Sequence, residues 1–318
     1  MFIRNHICSP MERIFPHVTN ETARLKAVVL GLPDSLGPVP TLEETYDAKS
    51  YEAVQRGIFP REEDVRHEMQ CVLDVLHRYG VQVLRPAPLK DYNQVFARDV
   101  AFTIDDTLFI SNLIPDRERE TEAFASSIFP LIDPAHIERL PEAVHTEGGD
   151  ILLYDDILFV GTYFGEDYSS FKTARTNRYA IDFFRERFPH KCIVPIELRK
   201  HDHEPAKSVL HLDCAFQPVS RGRAIIYREG FLNAHDVALV EEIFGRDNLF
   251  GVTPEEAYHM STNVVSLSPE ALISDKHFVR LNAFLRDEWG MTVEEVPYQE
   301  ISKMGGLLRC STMPLIRE

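Results

Sequence analysis

Val100-Ala101-Phe102-Thr103-Ile104, Asp105-Asp106 and Leu108-Phe109-Ile110 make up the stretch from which the fold is read. Two runs rich in β-branched and aromatic residues flank an acidic dipeptide, which is the pattern of two short strands joined by a tight turn. A helix is expected next over residues 119–129, followed by a strand near residues 136–140. The same order returns downstream. Ile151-Leu152-Leu153-Tyr154 and Ile157-Leu158-Phe159-Val160 flank Asp155-Asp156, with a helix from about Thr176 and a strand over residues 192–196.

Two further copies follow. One pairs residues 215–219 with 224–227 across Ser220-Arg221-Gly222, then has a helix from about Ala234 and a strand near Phe250-Gly251-Val252. The other pairs residues 264–267 with 271–274 across Ser268-Pro269, then has a helix over 277–289 and a strand over 293–296. The first copy is less regular. Residues 25–32 read as a strand, but Pro-rich sequence replaces its clean partner. A helix over 62–79 puts Val65, Met69, Val72, Leu73 and Leu76 on one face. Glu62, Glu63 and Asp64 at its start suit the positive end of the helix dipole, and residues 81–84 close the unit. Five ββαβ units in one chain favour a closed ring, because a row would leave apolar end faces needing caps. Residues 1–20 read as an N-terminal extension, 21–318 as a single domain, and 33–61 as a segment long enough for a lid.

Composition narrows the class. The chain has 318 residues, of which 44% are hydrophobic and 26% charged, as in an ordinary globular protein. With a formal charge of -16 and no stripe of Lys or Arg, it is not expected to bind nucleic acid. The acidic balance fits a cationic small molecule, although solubility alone explains it. No apolar run is long enough to cross a membrane. Five cysteines (Cys8, Cys71, Cys192, Cys214 and Cys310) without a CxxC indicate neither a disulfide framework nor a zinc ribbon. Free thiols and the absence of a signal-like N-terminus make the cytoplasm the expected location.

Four segments carry groups suited to chemistry. Arg98-Asp99 precedes a buried strand. Thr146-Glu147-Gly148-Gly149-Asp150 sets two glycines between two acids, again just before a strand. Leu210-His211-Leu212-Asp213 leads into another strand, where alternation would put His211 and Asp213 on one face. Cys310 follows Gly305-Gly306-Leu307-Leu308-Arg309 close to the end of the sequence. Taken singly, each has a structural reading: an ion pair, a turn, a core pair, an inert buried thiol. Together they offer the nucleophile, base and orienting acid of covalent catalysis. The spacing alone does not separate a guanidine-directed enzyme from a cysteine protease. His201-Asp202-His203-Glu204 has the residue types of a metal cluster, but reads as a solvated charge run, and no metal site is expected.

These segments resemble the guanidino-modifying enzymes: arginine deiminases, dimethylarginine dimethylaminohydrolases, agmatine deiminases and glycine amidinotransferases. Glu147 to Asp150 resemble the family's Glu-Gly-Gly-Asp, His211 and Asp213 its His-x-Asp, and Cys310 its nucleophile near the C-terminus. Ala174-Arg175-Thr176-Asn177 looks like Ser-Arg-Thr-Asn, and Arg98-Asp99 looks like an early Arg-Asp. The resemblance implies an α/β fold, a five-bladed α/β propeller (pentein) with pseudo-fivefold symmetry. It implies catalytic Cys310, His211 and Glu147, with Asp99 and Asp213 gripping a guanidinium, Arg175 binding a substrate carboxylate, and Arg117 as a further contact. No metal or other cofactor is implied. The expected partner is a small guanidino substrate; nothing in the sequence decides whether the chain forms a homo-oligomer. Glu147-Gly148-Gly149 is similar to the hydrolases, with amidino transfer to an amine as the alternative. The stretch 162–174 is longer than in many relatives, and Arg309 stands where relatives carry His.

Overall fold

The acidic turns close hairpins where expected. The computed structural model describes residues 13–318. Cys8 and the first twelve residues of the expected extension lie outside them. In chain order the elements are β1 (Leu25–Leu30), α1 (Ala48–Gln55), α2 (Glu62–Arg78), β2 (Gln82–Leu84), β3 (Ala101–Ile104), β4 (Thr107–Ile110), α3 (Arg119–Ser127) and β5 (Ile137–Arg139). Next come β6 (Ile151–Tyr154), β7 (Ile157–Thr162), α4 (Arg178–Arg187), β8 (Cys192–Glu197), β9 (Phe216–Val219), β10 (Arg223–Ile226), α5 (Ala234–Phe244) and β11 (Leu249–Gly251). The chain finishes with α6 (Pro254–Tyr258), β12 (Val265–Ser268), β13 (Ala271–Asp275), α7 (Val279–Asp287), β14 (Thr292–Val296), α8 (Gln299–Ser302) and β15 (Thr312–Arg317).

The strands form five three-stranded sheets, β15-β1-β2, β3-β4-β5, β6-β7-β8, β9-β10-β11 and β12-β13-β14. In each, the first strand runs antiparallel to the middle one, and a helix crosses back to a third strand parallel to it. The fold is the five-bladed α/β propeller. Asp105 and Asp155 begin two-residue hairpin loops at φ 51° each, a left-handed conformation that Asp adopts more readily than most residues. The strands nearest the axis are buried on both faces, as β3 and β9 are throughout. On the outside, α2 packs Val65, Met69, Val72 and Leu76 into the largest core cluster. Each such side chain contributes about 1.5–3 kcal/mol by leaving water.

The first blade corrects the sequence reading. Strand β1 stops at Leu30 rather than continuing to residue 32, and no local hairpin partner exists. Its antiparallel partner is β15, in register from Leu25 with Arg317 to Leu30 with Thr312. Just before β1, Val18 exchanges backbone hydrogen bonds with Asp105 and Asn20 bridges to Tyr154, so this stretch lies along two hairpin turns. Among the described residues no helix is long and apolar enough to cross a membrane.

Candidate active site

The turns that precede the inner strands meet at the axis. Ala97–Asp99 form a 3-10 turn before β3, Gly148–Asp150 one before β6, and Leu212–Cys214 one before β9. Asn263 stands two residues before β12, and Cys310 two residues before β15. Thus His211 and Asp213 do not alternate along a strand, contrary to the expectation; His211 caps the turn at whose centre Asp213 lies. The glycine pair permits the approach. A methyl group on Gly148 would lie 2.1 Å from the Arg98 carbonyl oxygen, and one on Gly149 would lie 2.6 Å from the His211 ring. The backbone N–H of Arg98 donates to the Cys310 carbonyl at 3.0 Å, tying the Asp99 turn to the cysteine loop.

On the imidazole side, His211 Nε2 lies 2.9 Å from Glu147 Oε2, and His211 Nδ1 lies 3.7 Å from Asp99 Oδ1. All three residues are almost wholly buried. Burial works against the imidazolium, but Asp99, the bond to Glu147 and the charge of Asp150 outweigh it and push His211 up to about 9. Glu147 is the converse case. Burial raises it, yet Arg175, His211 and Arg117 hold it well below the usual carboxylate range. The imidazole is therefore protonated at neutral pH, with Nε2–H committed to Glu147. His211 Nδ1, Asp99 Oδ1 and Glu147 Oε1 have no hydrogen-bond partner among the described residues despite being buried.

The two expected substrate-binding arginines are occupied. Arg175 donates to Glu147 Oε2 at 2.7 Å, to the Lys172 carbonyl at 2.5 Å and to the Tyr46 carbonyl at 2.6 Å. Arg117 donates to Asp99 Oδ2 at 2.6 Å and grips Glu120 through two nitrogens at 2.7 and 2.9 Å. In this conformation Arg175 presents no open fork; it supports the glutamate instead.

On the sulfur side, Cys310 Sγ lies 3.8 and 4.0 Å from the two oxygens of Asp213. The amide of Asn263 donates to the same sulfur at 3.3 Å. The Cys214 thiol is also within 4.8 Å, and its hydrogen bond with Cys310, then burial and the Asp213 charge, push it well above the usual thiol range. The Arg309 guanidinium is turned away from the sulfur. It donates to Asp213 Oδ2 at 3.0 Å, to both oxygens of Glu21 at 2.9 and 3.3 Å, and to the Ile151 carbonyl at 2.7 Å. Burial raises Glu21, but Arg309 and Arg98 prevail and lower it to about 2. Asp99, Glu147 and His211, like Asp213, Cys214 and Cys310, have metal-ligand atom types within 4.8 Å of one another. Guanidinium groups already hold one oxygen of each carboxylate in both sets.

The covering segments also find places. The Lys172 ammonium donates to the Glu43 and Thr45 carbonyls and to Asp116, joining the 162–174 stretch to the lid-sized segment. Asp202 accepts from the backbone N–H groups of Lys172 and Thr173, and His201 Nδ1 accepts from those of His203 and Glu204. The His201–Glu204 run is thus partly a fastener for that stretch. A cavity of about 160 Å³ lined by Asp47, Lys49, Leu210, Met260 and Gly305 reaches Cys214. Sequence reasoning missed Glu21, Cys214 and Asn263 at or behind the site, and it gave Glu120, in the Pro115–Glu120 segment, no role. Asn263 alone carried a usable signal, since it occupies the repeat position held by Asp99 and Cys310, two residues before an inner strand.

Comparison with known proteins bears on the family and the fold. The family model described as "N,N dimethylarginine dimethylhydrolase, eukaryotic" matches residues 47–317. The uncharacterized protein YkgA of Bacillus subtilis is 31% identical over 248 residues, spanning 77% of this chain and 78% of that protein. An arginine deiminase of Borreliella afzelii is 23% identical over 296 residues, spanning 80% of this chain and 68% of that one. In fold, the N-terminal domain of ArgZ, an arginine dihydrolase from cyanobacteria, superposes with a TM-score of 0.73 at 19% identity, covering 92% of this chain and 97% of the domain. The chain therefore belongs to the eukaryotic N,N-dimethylarginine dimethylhydrolase family, among the guanidino-modifying enzymes of the five-bladed propeller fold.

Proposed function

We propose that the protein hydrolyses a guanidino C–N bond of arginine or an arginine derivative through a covalent intermediate on Cys310. One observation carries the reading. Asp99 and Glu147 each keep one buried oxygen without a donor, and the Cys310 sulfur lies 3.8 Å from Asp213. Buried acceptors left unpaired are costly, and a planar cation with N–H groups in a fork would satisfy them. Asp99 and Asp213 would then hold the guanidinium with its carbon facing the sulfur.

The steps balance as follows. The Cys310 thiolate adds to the guanidinium carbon, giving a tetrahedral adduct. The His211 Nδ1–H then protonates the leaving nitrogen, the C–N bond breaks, and a thiouronium remains. Water attacks the same carbon and gives a proton to the now neutral imidazole. Collapse expels the thiolate, and the hydroxyl proton passes to the released amine, leaving a ureido product. Glu147 keeps the imidazole oriented and stabilises its charged form, as the bond at 2.9 Å and the raised His211 both support.

The family match makes N,N-dimethylarginine the first substrate to test, with arginine beside it. Hydrolysis predicts release of dimethylamine or ammonia, with formation of a ureido product, whether or not glycine is added. Cys310→Ser should bring release to background while the thermal transition stays in place. Ornithine appearing only when glycine is present would replace hydrolysis by amidino transfer, and turnover surviving in Cys310→Ser would overturn the mechanism.

A further inference from the structure

We propose that Asn263 is the positioning residue for the nucleophile, holding the Cys310 sulfur and favouring its thiolate; this rests on Cys310 acting as proposed above. Asn263 is wholly buried. Its Oδ1 accepts from the backbone N–H of Arg309 at 2.8 Å and from that of Cys310 at 3.3 Å. Its Nδ2 donates to Cys310 Sγ at 3.3 Å and lies 3.5 Å from the Asp213 carbonyl oxygen. The orientation of the amide follows from these neighbours, because a backbone N–H can only donate and a carbonyl can only accept. The N–H therefore points at the sulfur.

The remaining surroundings explain why such a donor matters. Asp213 faces the sulfur with a carboxylate, Cys214 with a thiol, and Tyr298 adds a buried phenol nearby. Of these, the carboxylate opposes negative charge on the sulfur, and the thiol is a weak donor. The Arg309 guanidinium is turned away onto Asp213 and Glu21, and Arg98 is engaged with the Arg309 carbonyl. The side-chain amide donates to the sulfur at 3.3 Å, and a hydrogen bond to the charged form of a group favours that form. Its other end fixes the backbone that carries the cysteine, so one residue sets both the placement and the ionisation of the thiol. By repeat position it is the fifth blade turn to reach the axis, joining those of Asp99, Gly148–Asp150, Asp213 and Cys310.

Asn263→Asp keeps an acceptor for the two backbone N–H groups and replaces the donor to sulfur by a carboxylate oxygen, and Asn263→Ala removes that donor without adding charge. The measurement is alkylation of Cys310 by iodoacetamide across pH 6 to 10, followed by mass spectrometry of the Cys310 peptide, so the other thiols do not interfere. The expected result is a midpoint moved at least one pH unit upward and alkylation slowed about tenfold at neutral pH. The value of kcat should fall more than KM rises. An unchanged midpoint and kcat in Asn263→Asp would reduce Asn263 to a backbone cap and overturn the proposal. Should Asn263→Asp fail to fold, Asn263→Ala in the same assay decides: a raised midpoint supports the proposal, and lost thermal stability with an unmoved midpoint rejects it. Failure of the nucleophile reading shows up separately, as turnover surviving in Cys310→Ser.

Discussion

The two halves of the site are built on different physical principles. Around His211, charges alternate: Asp99 and Glu147 face the imidazole, Arg117 and Arg175 back them, and Glu120 backs Arg117. Around Cys310 the immediate contacts are an amide, a thiol and a single carboxylate, and the Arg309–Glu21 pair stands one step behind that carboxylate. A group that must carry a proton at neutral pH needs charges to hold its titration in place. A nucleophile needs to be aimed, and neutral hydrogen bonds with fixed directions do that without the desolvation cost of buried ions. Asp213 belongs to both arrangements, since it faces the sulfur and is gripped by Arg309.

The largest expected effect breaks the charged half. His211→Gln keeps a polar group near Glu147 but cannot shuttle a proton, and kcat should fall by about 10²–10⁴-fold. Steady-state release of amine from the substrate checks this, and a fall of less than tenfold would deny His211 its acid role. Next, Arg309→Met removes the guanidinium between two buried carboxylates and should cost about 3–5 kcal/mol of stability, read by denaturant unfolding. A loss below about 1 kcal/mol would mean that Asp213 is held by other groups.

The smallest effect is one of pH. Because His211 is raised from 6.5 to about 9, the stability drawn from its charged form is complete below about 6.5 and disappears as pH climbs through 9. Glu147 is lowered, so its share is present above its ordinary value of 4.5 and is lost on acidification. The Tm should therefore decline by several degrees on the alkaline side between pH 6.5 and 9.5, and His211→Gln should flatten that limb. Parallel alkaline limbs in the two proteins would remove the charged half from the stability account.

The sequence made the blades legible because their signals are local. Asp105-Asp106 and Asp155-Asp156 turn between strands that neighbour them in the chain, and the apolar face of α2 repeats within one helix. The partner of β1 left no such trace, since β15 reaches it from the other end of the sequence and nothing near Leu30 announces the pairing. The same distinction runs through the site. Cys310, His211, Glu147 and Asp99 were found through short motifs and a family resemblance. The occupation of Arg175 by Glu147 and of Asp213 by Arg309 depends on which side chains meet across the axis, which no motif encodes. Placing His211 and Asp213 on a strand went wrong because a turn before a strand and the strand itself look alike over four residues.

The pairing of β1 with β15 also orders events during synthesis. Of the residues gathered at the axis, the cysteine is the last to leave the ribosome, and it stands beside the strand that closes the ring. The acids and the imidazole can be in place earlier, but without β15 the first blade lacks its antiparallel strand and the thiol has no seat. In a nascent chain the surroundings of this sulfur are therefore completed only when β15 pairs with β1.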